Sequence, residues 1–341
     1  MRICVIGAGV SGLTSALTLL RAGNDVTVVA RDLPPHTTSN VAAAVWTPYS
    51  VQGENAGDVE RWGAASLEHF AALAATPEAG VISREVLDLS PAPRDLPPWA
   101  AAVPELRPAR DDELPPGYRS GMVFPAPVID MSVYLDWLRG QVESSGGQIV
   151  EGAIGGWDDA PRDCAVLVNC AGLGARALAS DDRETTRDQL GVHAGRGQVV
   201  RVRNSGFARV VADDTDPQQP TYIVPRQYDV VLGGFNQASE DQETHPAQSA
   251  EILGRCATLV EFYDAEFAAR LRALIEPAGA GLVPAEITSI GVGLRPLRDT
   301  VRLAAQTIGD RFVVHNYGHG GAGVTLSWGC AADVACLVAA H

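Results

Sequence analysis

Two arginines stand three residues apart in Gly293-Leu294-Arg295-Pro296-Leu297-Arg298, within a chain of 341 residues. A guanidinium is a planar fork that matches a carboxylate through two parallel hydrogen bonds. Pro296 pushes Arg295 into an extended conformation. In an extended stretch residues three apart point to opposite faces, so only one of the two can turn to a pocket. From spacing alone a surface salt bridge is the better account of the pair. A second candidate is Gly318-His319-Gly320-Gly321-Ala322-Gly323, with four glycines directly before a helical pattern. It offers free backbone N–H donors at a helix start, suited to a group on which negative charge develops. Thr325 on the first turn adds a hydroxyl. An ordinary glycine-rich β–α connection has the same appearance. His319 reads as a structural hydrogen-bonder and not as a base.

The third candidate is Gly7-Ala8-Gly9-Val10-Ser11-Gly12, a G-x-G-x-x-G turn. Arg2 to Ile6 before it is an apolar, β-branched run, the pattern of a buried parallel strand. Leu13, Ala16, Leu17 and Leu20 after it recur at helical spacing, and Gly23 closes the helix. Strand, turn and helix in that order raise the fingerprint above a chance match. Gly7 permits the tight turn, Gly9 the approach of a pyrophosphate, and Gly12 close packing of helix on strand. The helix start then holds a diphosphate; a glycine turn without a ligand is the bland alternative. A second strand, Asp25 to Ala30, ends at Arg31-Asp32. Asp32 is in range of an adenosine ribose and Arg31 of a 2′-phosphate, so FAD, NAD and NADP all stay open here.

These groups need a large scaffold, and the chain is long enough for two domains. A net charge of −15 argues against a nucleic-acid or anionic-membrane partner. No stretch approaches eighteen uninterrupted apolar residues, so no bilayer span is expected. The N-terminus superficially resembles a signal peptide, but cleavage would destroy the strand, turn and helix together. Cys4, Cys164, Cys170, Cys256, Cys330 and Cys336 lack metal spacing and disulfide density, so free core thiols, a cytoplasmic location and no metal are expected.

Val41 to Trp46 is small-residue rich and suits either close backbone approach to a ligand or a helix start. Val59, Trp62, Ser66, Phe70 and Leu73 mark a helix from about Asp58 to Ala75. Pro91 to Pro127 reads as loops and edge strands. Asp130 is an N-cap before the Met131, Tyr134, Leu135, Leu138 and Val142 face. Cys164 to Cys170 is another buried strand ending in a glycine turn. Residues 195–236 change to hairpin patterns, at Gln198 to Val202, Thr221 to Val224 and Val230 to Leu232. A helix from Pro246 to Tyr263 and a strand from Arg311 to His315 precede the last helix. The expected class is α/β: a discontinuous Rossmann-like FAD-binding domain (1–50, 125–190 and 288–341) with an inserted antiparallel-sheet substrate domain (51–124 and 191–287). A C-terminal glycine cluster returning to the dinucleotide site suits a long cofactor, and FAD is preferred over NAD on that ground.

The stretches IGAGVSGL, ARDLPP, TTSNVAAAVWTPY, VNCAGLGA, GRGQVV, TYIVPR, VGLRPLR and HNYGHGGAGVTLSWGCA together resemble the D-amino-acid oxidase family. They keep the family's order from residue 3 to 332. The resemblance implies that Arg295 pairs with a substrate carboxylate and that the Tyr222 hydroxyl donates to it. It implies that the backbone carbonyl of Gly321 receives the substrate amine. It also assigns to FAD the turn from Gly7 to Gly12, Arg31 and Asp32, Thr38, Ser39, Ala43, Ala44 and Val45, Ile154 and Gly172. At the other end it assigns Gly318, Gly320 and Gly321 together with Ala322, Gly323, Val324 and Thr325. Two departures stand out. Asp216 to Pro220 is a short lid without the Tyr of animal members, and Asn236 stands where fungal-type members carry a Tyr. Arg226, after Pro225, is expected to face solvent, and Ala212 to leave room for a longer side chain.

The implied reaction is FAD-dependent oxidation of neutral or apolar D-amino acids by O₂, giving 2-oxo acids, ammonia and hydrogen peroxide. D-aspartate or glycine/sarcosine oxidation on the same scaffold is the nearest alternative. An NAD(P)-dependent dehydrogenase would explain the N-terminus but leave the C-terminal glycine cluster idle, and a non-catalytic nucleotide-sensing module would have no use for Arg295 and Tyr222. A homodimer is compatible with the sequence.

Overall fold

The computed structural model describes residues 1–47, 56–179 and 191–341. The Pro48-Tyr49 end of the small-residue motif, and the expected boundaries near residues 50 and 190, lie outside these. The chain opens with β1 (Arg2–Ile6), α1 (Val10–Arg21) and β2 (Asp25–Ala30), as expected. Ile3, Cys4 and Val5 are fully buried, as a parallel strand covered on both faces requires. A short α2 (Thr38–Val41) ends before the alanines, and Ala44 takes a left-handed φ of 56°; the segment is a close-approach loop. Next come α3 (Ala56–Leu73), β3 (Val81–Ser90), β4 (Arg107–Pro108), β5 (Ser120–Ile129) and α4 (Met131–Ser144). Asp130 caps α4 by accepting from the Ser132 N–H at 3.1 Å. The chain continues through β6 (Gln148–Glu151), β7 (Val166–Asn169), α5 (Ala175–Ala179), β8 (His193–Arg203), β9 (Val210–Asp213), β10 (Thr221–Pro225), β11 (Asp229–Gly233) and β12 (Gln237–Ala238). It ends with α6 (Pro246–Val260), α7 (Ala265–Gly279), β13 (Ile287–Leu297), β14 (Arg302–Ile308), β15 (Arg311–Tyr317) and α8 (Gly323–Ala339).

Among the described residues the strands form two sheets. The six-stranded sheet runs β14-β15-β7-β1-β2-β6 and is parallel apart from edge strand β14. The chain leaves β1 toward β2 on one side and returns to β7 on the other, which places the topological switch point between β1 and β7. The nine-stranded sheet runs β12-β8-β11-β10-β9-β3-β5-β4, with β13 along the other side of β8. It is antiparallel except where β3 meets β9 in parallel. Helices α6 and α7 bury Ile252, Leu253, Phe267 and Leu271 against its back.

The structure departs from expectation at three points. The boundary set at 125 falls inside β5 and that at 288 just inside β13, both strands of the nine-stranded sheet. Pro91 to Pro127 holds more than loops and edge strands: β5 lies between β3 and β4 and pairs with β3 along ten residues. Pro125 and Pro127 are tolerated because their missing N–H groups lie on the side away from β3, where Ile129 donates to Ala44. Helix α7 was not foreseen, although Asp264 caps it and Phe267, Leu271 and Leu274 make its buried stripe. Finally, the stretch Gly320–Ala339 is apolar and long enough to cross a membrane by length and composition. Its apolar residues are instead those of a core helix, buried against α1 and α3.

Candidate active site

The dinucleotide cradle is built at the switch point. Gly7 has φ +109°, and its N–H donates to Val29 O at 2.8 Å, tying the turn to β2. A Cβ on Gly7 would stand 2.5 Å from Cys170 O, and one on Gly12 only 1.9 Å from Gly7 O. No side chain fits at either place, so α1 starts flush against β1 and β7. A Cβ on Gly9 would meet Ser39 Oγ at 3.1 Å, and that hydroxyl also accepts the Val10 N–H at 3.1 Å. One cavity of about 1030 Å³ opens from this turn along the carboxyl ends of β1, β2 and β7. Ala8, Ser11, Ile154 and Gly172 line it, as do Thr38 and Ser39. Arg31 and Asp32 stand at its rim and are paired with each other at 2.7 Å.

The second glycine turn closes the cavity from the other end of the chain. Gly318 and Gly320 have φ of +82° and +55°, folding β15 back into α8. Gly320, Gly321, Gly323, Val324 and Thr325 line the cavity, with Ala43, Ala44 and Val45 also contributing to its wall. Thr325 donates to Thr47 O at 2.9 Å. His319 is buried and held well below its usual range, at about 4, by that burial, so its ring is neutral. Its Nε2 lies 2.9 Å from Asn316 Oδ1, while the Asn316 amide donates to Ser15 at 3.1 Å. The Asn316 carbonyl must therefore accept, and Nε2 carries the proton. His319 is structural, tying the turn to α1. Three expected cofactor residues stand behind the wall instead of on it. Gly12 and Ala322 are packed among other elements, and Gly318 lies under the Arg298 stem.

Substrate-side geometry follows from strand register. Gly195 pairs with Arg295 and Gly197 with Gly293 across β8 and β13. Arg295 therefore shares the face of both glycines, and its guanidinium lies over Gly197, where a Cβ would be 2.5 Å from Nη1. Nη1 also donates to Phe235 O at 2.9 Å. Arg196 and Gln198 point to the opposite face, where Arg196 donates to Gln248 at 2.7 Å and Gln198 to Ser249 at 2.8 Å. On β10, Tyr222 is flanked by Gly233 and Ala212. Its ring lies across Gly233, where a Cβ would come within 2.0 Å. Burial raises the Tyr222 phenol, while Arg295, hydrogen-bonded to it, pulls the other way. Both side chains line the cavity, and so does Gly321. Arg298 turns away, donating to Thr300 O and Oγ1 at 2.6 Å.

One expectation about the substrate end is overturned. Arg226 does not face solvent: it is 1% exposed and paired with Asp229 and, at 3.1 Å, with Asp130. Asn236 does not line the cavity; its side chain abuts Gly195. The short lid is pinned, because Asn236 donates to Gln218 O at 2.8 Å and Arg255 to Gln219 O at 2.6 Å. Sequence reasoning missed Gly197 and Gly233, although the GRG and GG pairs were visible signals. It also missed Asp88 and Arg94, which line the same end and are joined at 2.8 Å. Nothing in their spacing marked them. Cys4, Cys170 and Cys256 are pushed up to about 12 by burial, so they are inert thiols; Cys336, expected in the core, is exposed. Among the described residues no cluster of His, Cys, Asp and Glu is arranged to hold a metal.

The family model for FAD dependent oxidoreductases matches residues 2–337. A D-amino-acid oxidase of Rubrobacter xylanophilus is 41% identical, over 99% of this chain and 96% of its own. One of Dictyostelium discoideum is 36% identical, over 99% and 91%. Glycine oxidase of Bacillus cereus has a solved structure that superposes with a TM-score of 0.76 at 17% identity, covering 99% of this chain and 97% of its own; this shows a common fold.

Proposed function

Because the chain belongs to the D-amino-acid oxidase family of FAD dependent oxidoreductases, we propose that it oxidises neutral, apolar D-amino acids to 2-oxo acids, releasing ammonia and hydrogen peroxide. Its cofactor is FAD, and the residues fit that group. Two glycine-lined helix starts face one long cavity, in which Gly9 leaves room for a pyrophosphate and Gly320 to Gly323 present N–H donors. FAD supplies there the acceptor for the hydride that leaves the substrate Cα. Arg295 and Tyr222 hold the substrate carboxylate, and the Gly321 carbonyl takes the amine. His319 is neutral and committed to Asn316, so the ammonium proton goes to water. With carboxylate and amine both fixed, only one enantiomer turns its Cα hydrogen to the cofactor side. Positioning of this kind contributes most of the rate. The imino acid hydrolyses in water, and O₂ takes the electrons.

What supports the reading most is that Arg295 and Tyr222 meet on one face of the nine-stranded sheet, inside the cavity that begins at Gly7. A cytoplasmic location belongs to the same reading, supported by buried free thiols at Cys4, Cys164, Cys170, Cys256 and Cys330. The charge of −15 supports leaving nucleic acid and membrane out of its partners, and a homodimer is compatible with it. The test is to identify the nucleotide released on denaturation and to measure kcat/KM for D-alanine, D-methionine, D-phenylalanine and D-aspartate. FAD and a preference of about tenfold or more over D-aspartate are expected, since the other guanidiniums on the cavity wall among the described residues, Arg31, Arg94 and Arg176, are already paired with Asp32, Asp88 and Glu240. NAD or FMN in folded protein contradicts the reading, and a lead for D-aspartate would make a D-aspartate oxidase of it.

A further inference from the structure

The two side chains assigned to the substrate carboxylate lean on one short segment. The Tyr222 ring lies across Gly233 and Gly234, where added Cβ atoms would stand 2.0 Å from its Cζ and 2.9 Å from its hydroxyl. One residue on, Phe235 O accepts from Arg295 Nη1 at 2.9 Å. The path of residues 233–235 therefore sets the spacing between phenol and guanidinium. Sheet pairing does not fix that path, because β11 ends at Gly233. Gly234 and Asn236 instead donate to the lid, at Pro220 O and Gln218 O. Arg255, on α6, ties segment and lid together. Its Nη2 donates to Gly234 O at 2.7 Å and its Nη1 to Gln219 O at 2.6 Å. Its guanidinium also lies 4.9 Å from the centre of the buried Phe235 ring. Cys256, next on the helix, sets its thiol 3.6 Å from Tyr222 O and 3.8 Å from Gly233 O. Helix α6 is thus seated behind the same pair. A planar fork can bond two carbonyls and stack on a ring at once, which a lysine ammonium cannot. Only 22% of the Arg255 side chain is exposed, and Glu251 stands 3.8 Å from Nε. Withdrawing a guanidinium from water for backbone carbonyls is costly on a helix surface unless the carbonyls must be held.

We propose that Arg255 is a positioning residue for substrate binding: by holding Gly234, Phe235 and the edge of the lid, it sets Tyr222 and Arg295 at the spacing a carboxylate fits. The inference rests on the oxidase reading, which supplies the carboxylate. Arg255 and Phe235 are not on the cavity wall, so the effect reaches the substrate only through the backbone of 233–235. Without the fork, Gly234 O loses its donor and the Phe235 ring its cation. The segment relaxes, Phe235 O moves from Arg295, and the Tyr222 ring loses its floor. A bidentate contact tolerates little displacement, so affinity falls, while the reaction of bound substrate changes less.

Rapid mixing of the FAD-loaded protein with D-alanine, free of oxygen, separates the two quantities. The concentration dependence of flavin bleaching gives Kd, and its plateau gives the rate of the bound complex. Arg255→Gln should raise Kd about tenfold and lower the plateau by about threefold or less. Arg255→Lys, whose ammonium reaches one carbonyl at a time, should fall between, and it serves where the glutamine variant does not fold. In a Tyr222→Phe background, Arg255→Gln should raise Kd by about threefold or less, because the hydroxyl it would displace is gone. FAD content and melting temperature are read on every variant. A lower melting temperature with the wild-type Kd would show that Arg255 only secures α6, and overturns the proposal. Equal steps in Kd with and without the Tyr222 hydroxyl overturn it too. So does faster binding matched by faster release, the mark of a loosened lid alone. Wild-type protein that bleaches with no D-amino acid contradicts the oxidase reading itself, whereas an active wild type with an unmoved Arg255→Gln variant overturns only the positioning role.

Discussion

Arg295 and Arg298 show what a residue pattern can and cannot carry. Their opposite orientations follow from an extended backbone, and the structure has them so, one over Gly197 in the cavity and one on Thr300. Which of them faced inward was not in the spacing; it depends on the register of β13 against β8, a long-range pairing. Arg295→Ala should cost roughly 3–5 kcal/mol of transition-state binding, a hundredfold or more in kcat/KM, because it leaves a carboxylate without its fork. Arg298→Ala should cost far less, and steady-state assays on FAD-replete protein decide it; equal losses would move the carboxylate site elsewhere. Asp88 was illegible for a similar reason, since only cross-strand register puts it in a row with Tyr222. Burial pushes its carboxyl up to about 6 despite the opposing pull of Arg94. Arg94, Asp213 and Asp214 are the charged groups acting on it, and Val86, Ala212 and Met122 add none.

At the scale of elements, the glycines divide by what an added Cβ would strike. Gly12 faces a backbone oxygen at 1.9 Å, which cannot yield, so Gly12→Ala should lose FAD and much of its stability. Gly197 faces only the tip of the Arg295 side chain at 2.5 Å, which can swing aside. Gly197→Ala should therefore keep its FAD and fold while KM rises about tenfold, as a displaced bidentate contact implies. Spectra and steady-state kinetics on the two variants separate these outcomes; cofactor loss from Gly197→Ala would mean the β8 glycine serves the cradle. The strand, glycine turn and helix at the N-terminus were legible because their signals are local. Helix α7 and the ten-residue β3–β5 ladder were not, since tertiary packing outweighs proline-rich composition there. The lid belongs to this scale as well. Pinned by Arg255 and by the Asn236–Gln218 bond, it has little to open, so release should be quick and chemistry should limit turnover. Substrate deuterated at Cα should then lower kcat clearly, whereas an unchanged kcat would assign the slow step to release.

Across the whole molecule, one cavity joins the carboxyl ends of the six-stranded sheet to the face of the nine-stranded sheet. Its wall draws on residues 6–47 and 316–325 at the two ends of the chain and on β8, β10 and β13 between. A cofactor held by so many segments binds the folded chain only, so it stabilises by mass action. FAD at a hundredfold its Kd should contribute about 2.7 kcal/mol, on the order of 4 °C in Tm for a chain of this size. A melting temperature indifferent to FAD would show that the two glycine turns do not share a ligand. The α/β class and the return of the C-terminal glycines to the N-terminal turn were legible in the sequence; the limits of the two sheets were not, because β5 and β13 cross the points where composition changes. The most direct test of the account is to mix FAD-loaded protein, free of oxygen, with D-alanine and separately with L-alanine while following the visible flavin absorbance. The account predicts rapid bleaching with D-alanine, none with L-alanine, and bleaching at least a hundredfold slower in Arg295→Ala. Bleaching by both enantiomers, or by neither, would contradict it.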